Sequence, residues 1–312
     1  MAWEQKSWTD DEEKLLRLKK LDTESWEDFR LREMPYRSFN SVYGRVNFLK
    51  IKSSNKRSRL YSYDKRVWSE LTPESCYWAG FCAADASLIK EKKCNLLYYF
   101  KVSLQESDSD HLEKFINFTK YTGSVSKPQK SKKWNSIIRE VRVSVDDKWV
   151  FDLKNNFNIT ERKTFTLQPP NIVDEYLMDC FIIGYIDGDG CIYSSDRNGG
   201  EIDIKVTGAS RPIMEWIMNR LDSLSKGCYI RKCPPKRLTK DHDHLMFSFG
   251  GYRAFALIDY FKTFPVPKLG RKWNKDSVVR IVESKKDLHP ECFLDNHPFY
   301  IRNIASVNSI DE

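Results

Sequence analysis

The sequence predicts an α+β protein, built as two pseudo-symmetric αββαββα repeats with paired central helices and preceded by a small three-helix domain. Three observations carry that prediction. A chain of 312 residues exceeds the usual size of one hydrophobic core. The chain aligns with itself at an offset of 104 residues. A helical segment of different charge precedes the repeats.

Composition sets the outer bounds. With 40% hydrophobic and 13% aromatic residues, the chain has the makings of packed cores and is not a disordered type. Apolar stretches such as Cys180–Ile186 fall far short of the ~20 residues that span a bilayer, so no membrane partner is expected. Residues Met1–Lys6 contain no apolar signal core, so the protein is expected to stay in the cytoplasm or an organellar matrix and not to be secreted. Eight cysteines without a Cys-x-x-Cys pair fit no zinc or disulfide framework and read as reduced thiols. His242 and His244 could chelate a metal, but their first reading is a polar turn between two strands.

The first domain is expected over 1–50. Thr9 is placed to cap a helix, with Glu12 three residues on completing a capping box. A second helix would carry Trp26, Phe29 and Leu31. After Pro35, Ser38 can cap a third helix that presents Asn40, Arg45 and Asn47 among apolar residues. The segment 51–72 reads as a basic linker. Residues 1–35 carry 7 basic and 10 acidic side chains, a net of −3, whereas 36–66 carry 9 and 1, a net of +8. Lys56, Arg57 and Arg59, set among Ser and Asn, suit a linker that follows a phosphate backbone, the alternative being a merely solvated one.

The repeats are expected over 73–170 and 171–272, with a tail over 273–312. Cys76–Asp85 aligns with Cys180–Asp189, Lys101–Ser103 with Lys205–Thr207, and Phe151, Leu153 and Phe157 with Phe255, Leu257 and Phe261. Each copy reads as an apolar helix (74–85; 175–189), an alternating strand (96–105; 202–209), an amphipathic helix (110–121; 212–224), a basic hairpin (122–145; 227–249) and a closing helix (147–157; 251–261). The leading helices are apolar nearly all round and so require partners on more than one side, most simply each other. Gly80 with Ala84, and Gly184 with Gly188, would put small residues on one face of each and let the backbones approach closely. Close packing would then bring Asp85 and Asp189 together at two helix C-termini, where the helix dipoles and mutual repulsion both disfavour anions. A hard divalent cation would relieve that conflict.

Two family resemblances follow from these residues. The segment Trp8–Glu13, then Trp26, then Arg37–Val46 resembles a Myb/SANT-type repeat, with spacings of 18 and 20 residues from Trp8 to Trp26 to Val46, although Val46 replaces the third aromatic. The resemblance implies that the third helix enters a DNA major groove. The segments Trp78–Ala86 and Ile182–Gly190 resemble the paired motifs of single-chain, two-repeat LAGLIDADG homing endonucleases. The second motif is the closer match. The first carries Ala83 where an acid is usual and Ala86 where Gly is usual.

The second resemblance implies a saddle of two sheets on double-stranded DNA and a monomer encoded by a mobile genetic element such as an intron. It also implies Mg²⁺-dependent (or Mn²⁺-dependent) phosphodiester hydrolysis at a long asymmetric site, leaving short 3′ overhangs. Asp85 and Asp189 would then be catalytic and metal-binding, assisted by Lys163, Lys272 and Gln105. Lys127, Lys130, Lys132, Lys133, Arg139 and Arg142 of the first hairpin, and Arg231, Lys232, Lys236 and Arg237 of the second, would contact DNA. The rival reading is a catalytically weak derivative acting as an intron maturase or DNA-binding regulator.

Overall fold

The computed structural model describes residues 7–18, 26–51, 61–90, 98–131, 136–196, 200–228, 238–241 and 244–293. The chain divides into two compact units, Met1–Leu60 and Tyr61–Glu312.

Among the described residues, the first unit has three helices, α1 (Asp10–Leu18), α2 (Trp26–Glu33) and α3 (Phe39–Phe48). Their inner faces, with Met34 just after α2, supply a core of Leu16, Trp26, Phe29, Met34, Val42 and Val46. The capping box that starts α1 is formed: Glu12 Oε2 accepts from Thr9 N at 2.9 Å, and Thr9 Oγ1 accepts from Glu12 N at 3.3 Å. Ser38 caps α3 through Ser41 N. Glu12 also meets Arg37 in a buried two-pronged ion pair at 2.8 and 2.9 Å, and the Arg37 guanidinium stacks over Trp8. Planar forks of this kind combine charge with direction.

The second unit is an α+β structure of two similar halves. The first half runs α4 (Pro73–Asp85), β1 (Ala86–Lys90), β2 (Tyr98–Gln105), α5 (Ser109–Thr119), β3 (Gln129–Lys130), β4 (Ile137–Val145) and α6 (Asp147–Phe157). The second runs α7 (Glu175–Asp189), β5 (Gly190–Ser195), β6 (Glu201–Gly208), α8 (Arg211–Leu224), β7 (Thr239–Asp241), β8 (His244–Gly250) and α9 (Tyr252–Lys262). Two further helices follow, α10 (Gly270–Trp273) and α11 (Asp276–Leu288). Each half forms one antiparallel sheet, ordered β1-β2-β4-β3 and β5-β6-β8-β7.

The offset of 104 residues survives at atomic register in the first two strands, where Ala86 faces Val102 and Gly190 faces Val206. It fails at the third strand. Val102 faces Val141, but Val206 faces Phe247, two residues beyond Leu245. The gapless match also misjudges Phe151, which is 65% exposed while Phe255 is buried.

α4 and α7 are buried along most of their lengths, from Ser75 to Ala83 and from Asp179 to Asp187. Both start with strong caps. Thr72 and Ser75 cap α4 reciprocally with Pro73 at its first turn, and Asp174 caps α7 through Leu177 N. The sheets cover this helix pair with alternating residues such as Phe100, Val102 and Leu104, or Ile202, Ile204 and Val206. Among the described residues, no helix is long and apolar enough to cross a membrane.

Candidate active site

The site is built by the crossing of α4 and α7. A methyl group placed on Gly80 would lie 1.8 Å from the Phe181 carbonyl oxygen, and one on Gly184 would lie 1.9 Å from that of Tyr77. One turn further on, a methyl on Gly188 would lie 2.3 Å from Ala84 Cβ and 3.4 Å from Asp85 Oδ2. Gly80, Ala84, Gly184 and Gly188 thus line a single seam between two backbones. Asp85 is the last residue of α4 and Asp189 the last of α7, so the seam delivers both carboxylates to one end of the pair.

That end is costly for anions. Burial pushes the Asp85 carboxyl up to about 7, with the charge of Asp189 adding to the effect. Burial raises Asp189 as well, while the charges of Lys163 and Lys272 oppose the rise. The two lysines reach the carboxylate end from separate turns. Lys163, in a short 3-10 turn over Lys163–Phe165, donates its Nζ to Ala86 O at 2.8 Å. Lys272, in α10, donates to Ile186 O, Asp187 O and Gly190 O at 2.9, 2.6 and 2.6 Å. Each therefore satisfies carbonyls at the C-terminal end of its own half's central helix. Burial lowers both amines, and the nearby carboxylates pull them back up.

A cleft of about 490 Å³ opens beside Asp189, lined by Lys163, Thr164, Lys205, Thr207 and His244 among others. His244 stands at the start of β8, beside the polar turn that the sequence suggested, and lines the cleft together with Asp189. His242 lies outside the described residues. Gln105 is exposed at the end of β2 opposite Ile138 and does not line this cleft. Among the described residues, no group of three or more His, Cys, Asp or Glu gathers as a metal site. Two carboxylates still suit a hard cation such as Mg²⁺, which keeps several waters and takes further oxygens from phosphate.

Sequence comparison gives no match: no protein-family model and no curated protein matches the chain. Its fold is similar to those of solved structures at low identity, three of which follow. The meganuclease I-SmaMI bound to uncleavable DNA is 16% identical, with 72% of this chain and 93% of that one covered and a TM-score of 0.45. I-SmaMI bound to an uncleaved DNA target in the presence of calcium ions is 15% identical, with 77% and 98% covered and a TM-score of 0.43. The I-LtrWI LAGLIDADG homing endonuclease bound to target DNA is 13% identical, with 72% and 93% covered and a TM-score of 0.43.

The residues expected to meet DNA are distributed unevenly. On α3, Asn40 and Asn47 are exposed, but Arg45 is engaged within its own unit: it pairs with Glu13 and lies over the rings of Trp8 and Phe48. On β4, Arg142 occupies the open face of its sheet and stacks on Tyr99. Arg139 lies opposite core-facing Leu104 and pairs with Glu106 at 3.2 Å, so the two arginines take opposite faces. Lys127 and Lys130 are exposed before and within β3. Lys56, Arg57, Arg59, Lys132, Lys133, Arg231, Lys232, Lys236 and Arg237 lie outside the described residues.

Two residues that the sequence did not single out, Tyr77 and His111, join Asp187 of the second motif. Asp187, Tyr77 and His111 are all buried and form one hydrogen-bonded chain. The second motif's extra acid, set against Ala83 in the first, was the one available signal.

Proposed function

We propose that this protein is a site-specific DNA endonuclease that hydrolyses one phosphodiester on each strand of a long, asymmetric duplex target, leaving short 3′ overhangs. The observation that carries the proposal is the convergence of Asp85 and Asp189, one from each repeat, at the C-terminal end of a helix seam flanked by two buried lysines. Motifs resembling those of LAGLIDADG enzymes supply the two residues that meet there, Asp85 and Asp189.

Asp85 and Asp189 would hold Mg²⁺ or another divalent cation such as Mn²⁺. A cation held there would neutralise phosphate charge and acidify the attacking water. The chain's own groups do the rest. Lys163 and Lys272 keep the helix ends from repelling a phosphate, and each places a positive charge beside the developing negative charge. Ser103 and Lys101 on the open face of β2, with Thr207 and Lys205 on that of β6, give the two halves a matched polar surface on which a duplex can lie. The halves differ in sequence, which suits an asymmetric target read by a monomer. The three-helix unit, Myb-like in its residues, would add contacts through Asn40 and Asn47.

The test is cleavage of a randomised duplex library with Mg²⁺, comparing the wild type with Asp85→Asn and Asp189→Asn. The expected outcome is cutting at one sequence by the wild type only, with duplex binding kept by both variants. Tight binding without cutting by the wild type would put the regulator reading in its place.

A further inference from the structure

Lys272 and Lys163 occupy related places but are held very differently. Asp187, buried in α7, accepts three hydrogen bonds: Tyr77 Oη donates at 2.7 Å and Leu269 N at 2.9 Å to Oδ2, and Trp273 Nε1 donates at 2.7 Å to Oδ1. Leu269 and Trp273 bracket Lys272, so one carboxylate fixes both ends of the turn from which that lysine reaches. Tyr77 commits its proton to Asp187 and therefore accepts from His111 Nε2 at 3.0 Å. Arg271, next to Lys272, is gripped by Asp108 through two bonds of 2.6 and 2.8 Å. Tyr77, Asp108 and His111 all belong to the first half, and the turn they secure follows the second.

No such arrangement supports Lys163 among the described residues. The offset of 104 sets Ala83 against Asp187, Phe181 against Tyr77 and Glu215 against His111. Thr164 follows Lys163 where Trp273 follows Lys272. Lys163 meets one carbonyl where Lys272 meets three. Among the described residues, the hydrogen bond from the other half to this turn is a neutral one, from Ser210 Oγ to Leu167 O at 2.7 Å.

We infer that Asp187 is a positioning residue that locks Lys272 into the shared carboxylate site, with no equivalent lock on Lys163 among the described residues, so that the two DNA strands are cut by unequally supported halves. The locking stands on the structure alone. Its effect on the strands rests on the nuclease reading.

The experiment uses the full chain and two variants, Asp187→Asn and Tyr77→Phe. The first keeps the side chain's volume and one acceptor oxygen. The second installs the residue that the other half already carries, which keeps the test open if Asp187→Asn fails to fold. Reductive methylation with formaldehyde and borohydride, read by peptide mass spectrometry, reports access to each lysine. Labelling of Lys272 is expected to rise about tenfold in the variants with Lys163 unchanged. No rise at Lys272, or an equal rise at both lysines, overturns the locking.

Strand-resolved cleavage of an end-labelled target reports the consequence. One strand is expected to slow about tenfold or more relative to the other, with nicked duplex accumulating and duplex affinity unchanged. Equal slowing of both strands overturns the unequal support. Absence of cleavage by the wild type overturns the nuclease reading and with it the strand effect, while the labelling still decides whether Asp187 locks Lys272.

Discussion

Asp85 shows what a half-buried carboxylate beside a second acid costs the fold. Its acidity is shifted from an ordinary 3.8 to about 7 by burial and by Asp189. The folded state therefore binds a proton that the unfolded chain would release. Stability from the protonated form is complete below about pH 4 and is lost as pH rises through about 7. Asp85→Asn does not titrate. In metal-free buffer it should stabilise the protein by about 1–3 kcal/mol at pH 7.5 and give no gain at pH 4, as read from urea midpoints at both values. A destabilised variant at pH 7.5 would show that the two carboxylates do not oppose each other. The paired acids were legible in the sequence because each ends a recognisable motif. The partners of Asp187 were not, since Leu269 and Trp273 lie 82 and 86 residues further along. Arg45 also escaped the reading, because a helix drawn by itself shows nothing of Glu13 reaching across to it.

Among elements, the seam between α4 and α7 has the least tolerance. At Gly80 and Gly184 any side chain would meet main-chain carbonyl oxygen, which cannot rotate away. Gly184→Ala should cost about 3 kcal/mol or more, because only separation of the helices makes room. Thermal unfolding measures this directly, and a midpoint close to that of the wild type would mean that the helices are not in such intimate contact. Gly44 offers a contrast, since an added methyl there meets nothing within 4 Å. Gly44→Ala on α3 should be neutral or stabilising by up to about 1 kcal/mol. The leading helices and the alternating strands were readable because their periods of 3.6 and 2 are local properties. The two-residue shift at β8 was not, since register depends on how the hairpin closes and not on composition.

At the scale of the whole molecule, two cores share no residues: Leu16, Trp26 and Val42 belong to one, and Trp78, Phe181 and Phe247 to the other. Calorimetry should therefore resolve a small and a large transition. The small one has its own acid sensitivity. Its buried Glu12 is held down to about 2, from an ordinary 4.5, chiefly by the hydrogen bond from Arg37. That stabilisation is present above pH 4.5 and disappears as pH falls towards 2. Glu12→Gln should flatten the pH dependence of the small transition in this window and leave the large one unmoved. The larger unit raises a different matter, one of timing. Gly80 is made early, yet the carbonyl it rests against belongs to Phe181, and Lys272 arrives later still. During translation, α4 must wait with its apolar surface uncovered for about a hundred residues of further synthesis. Contacts so distant along the chain form slowly and leave the nascent half open to aggregation. Soluble yield of this protein should accordingly depend on translation speed and on chaperones more than its final stability would suggest.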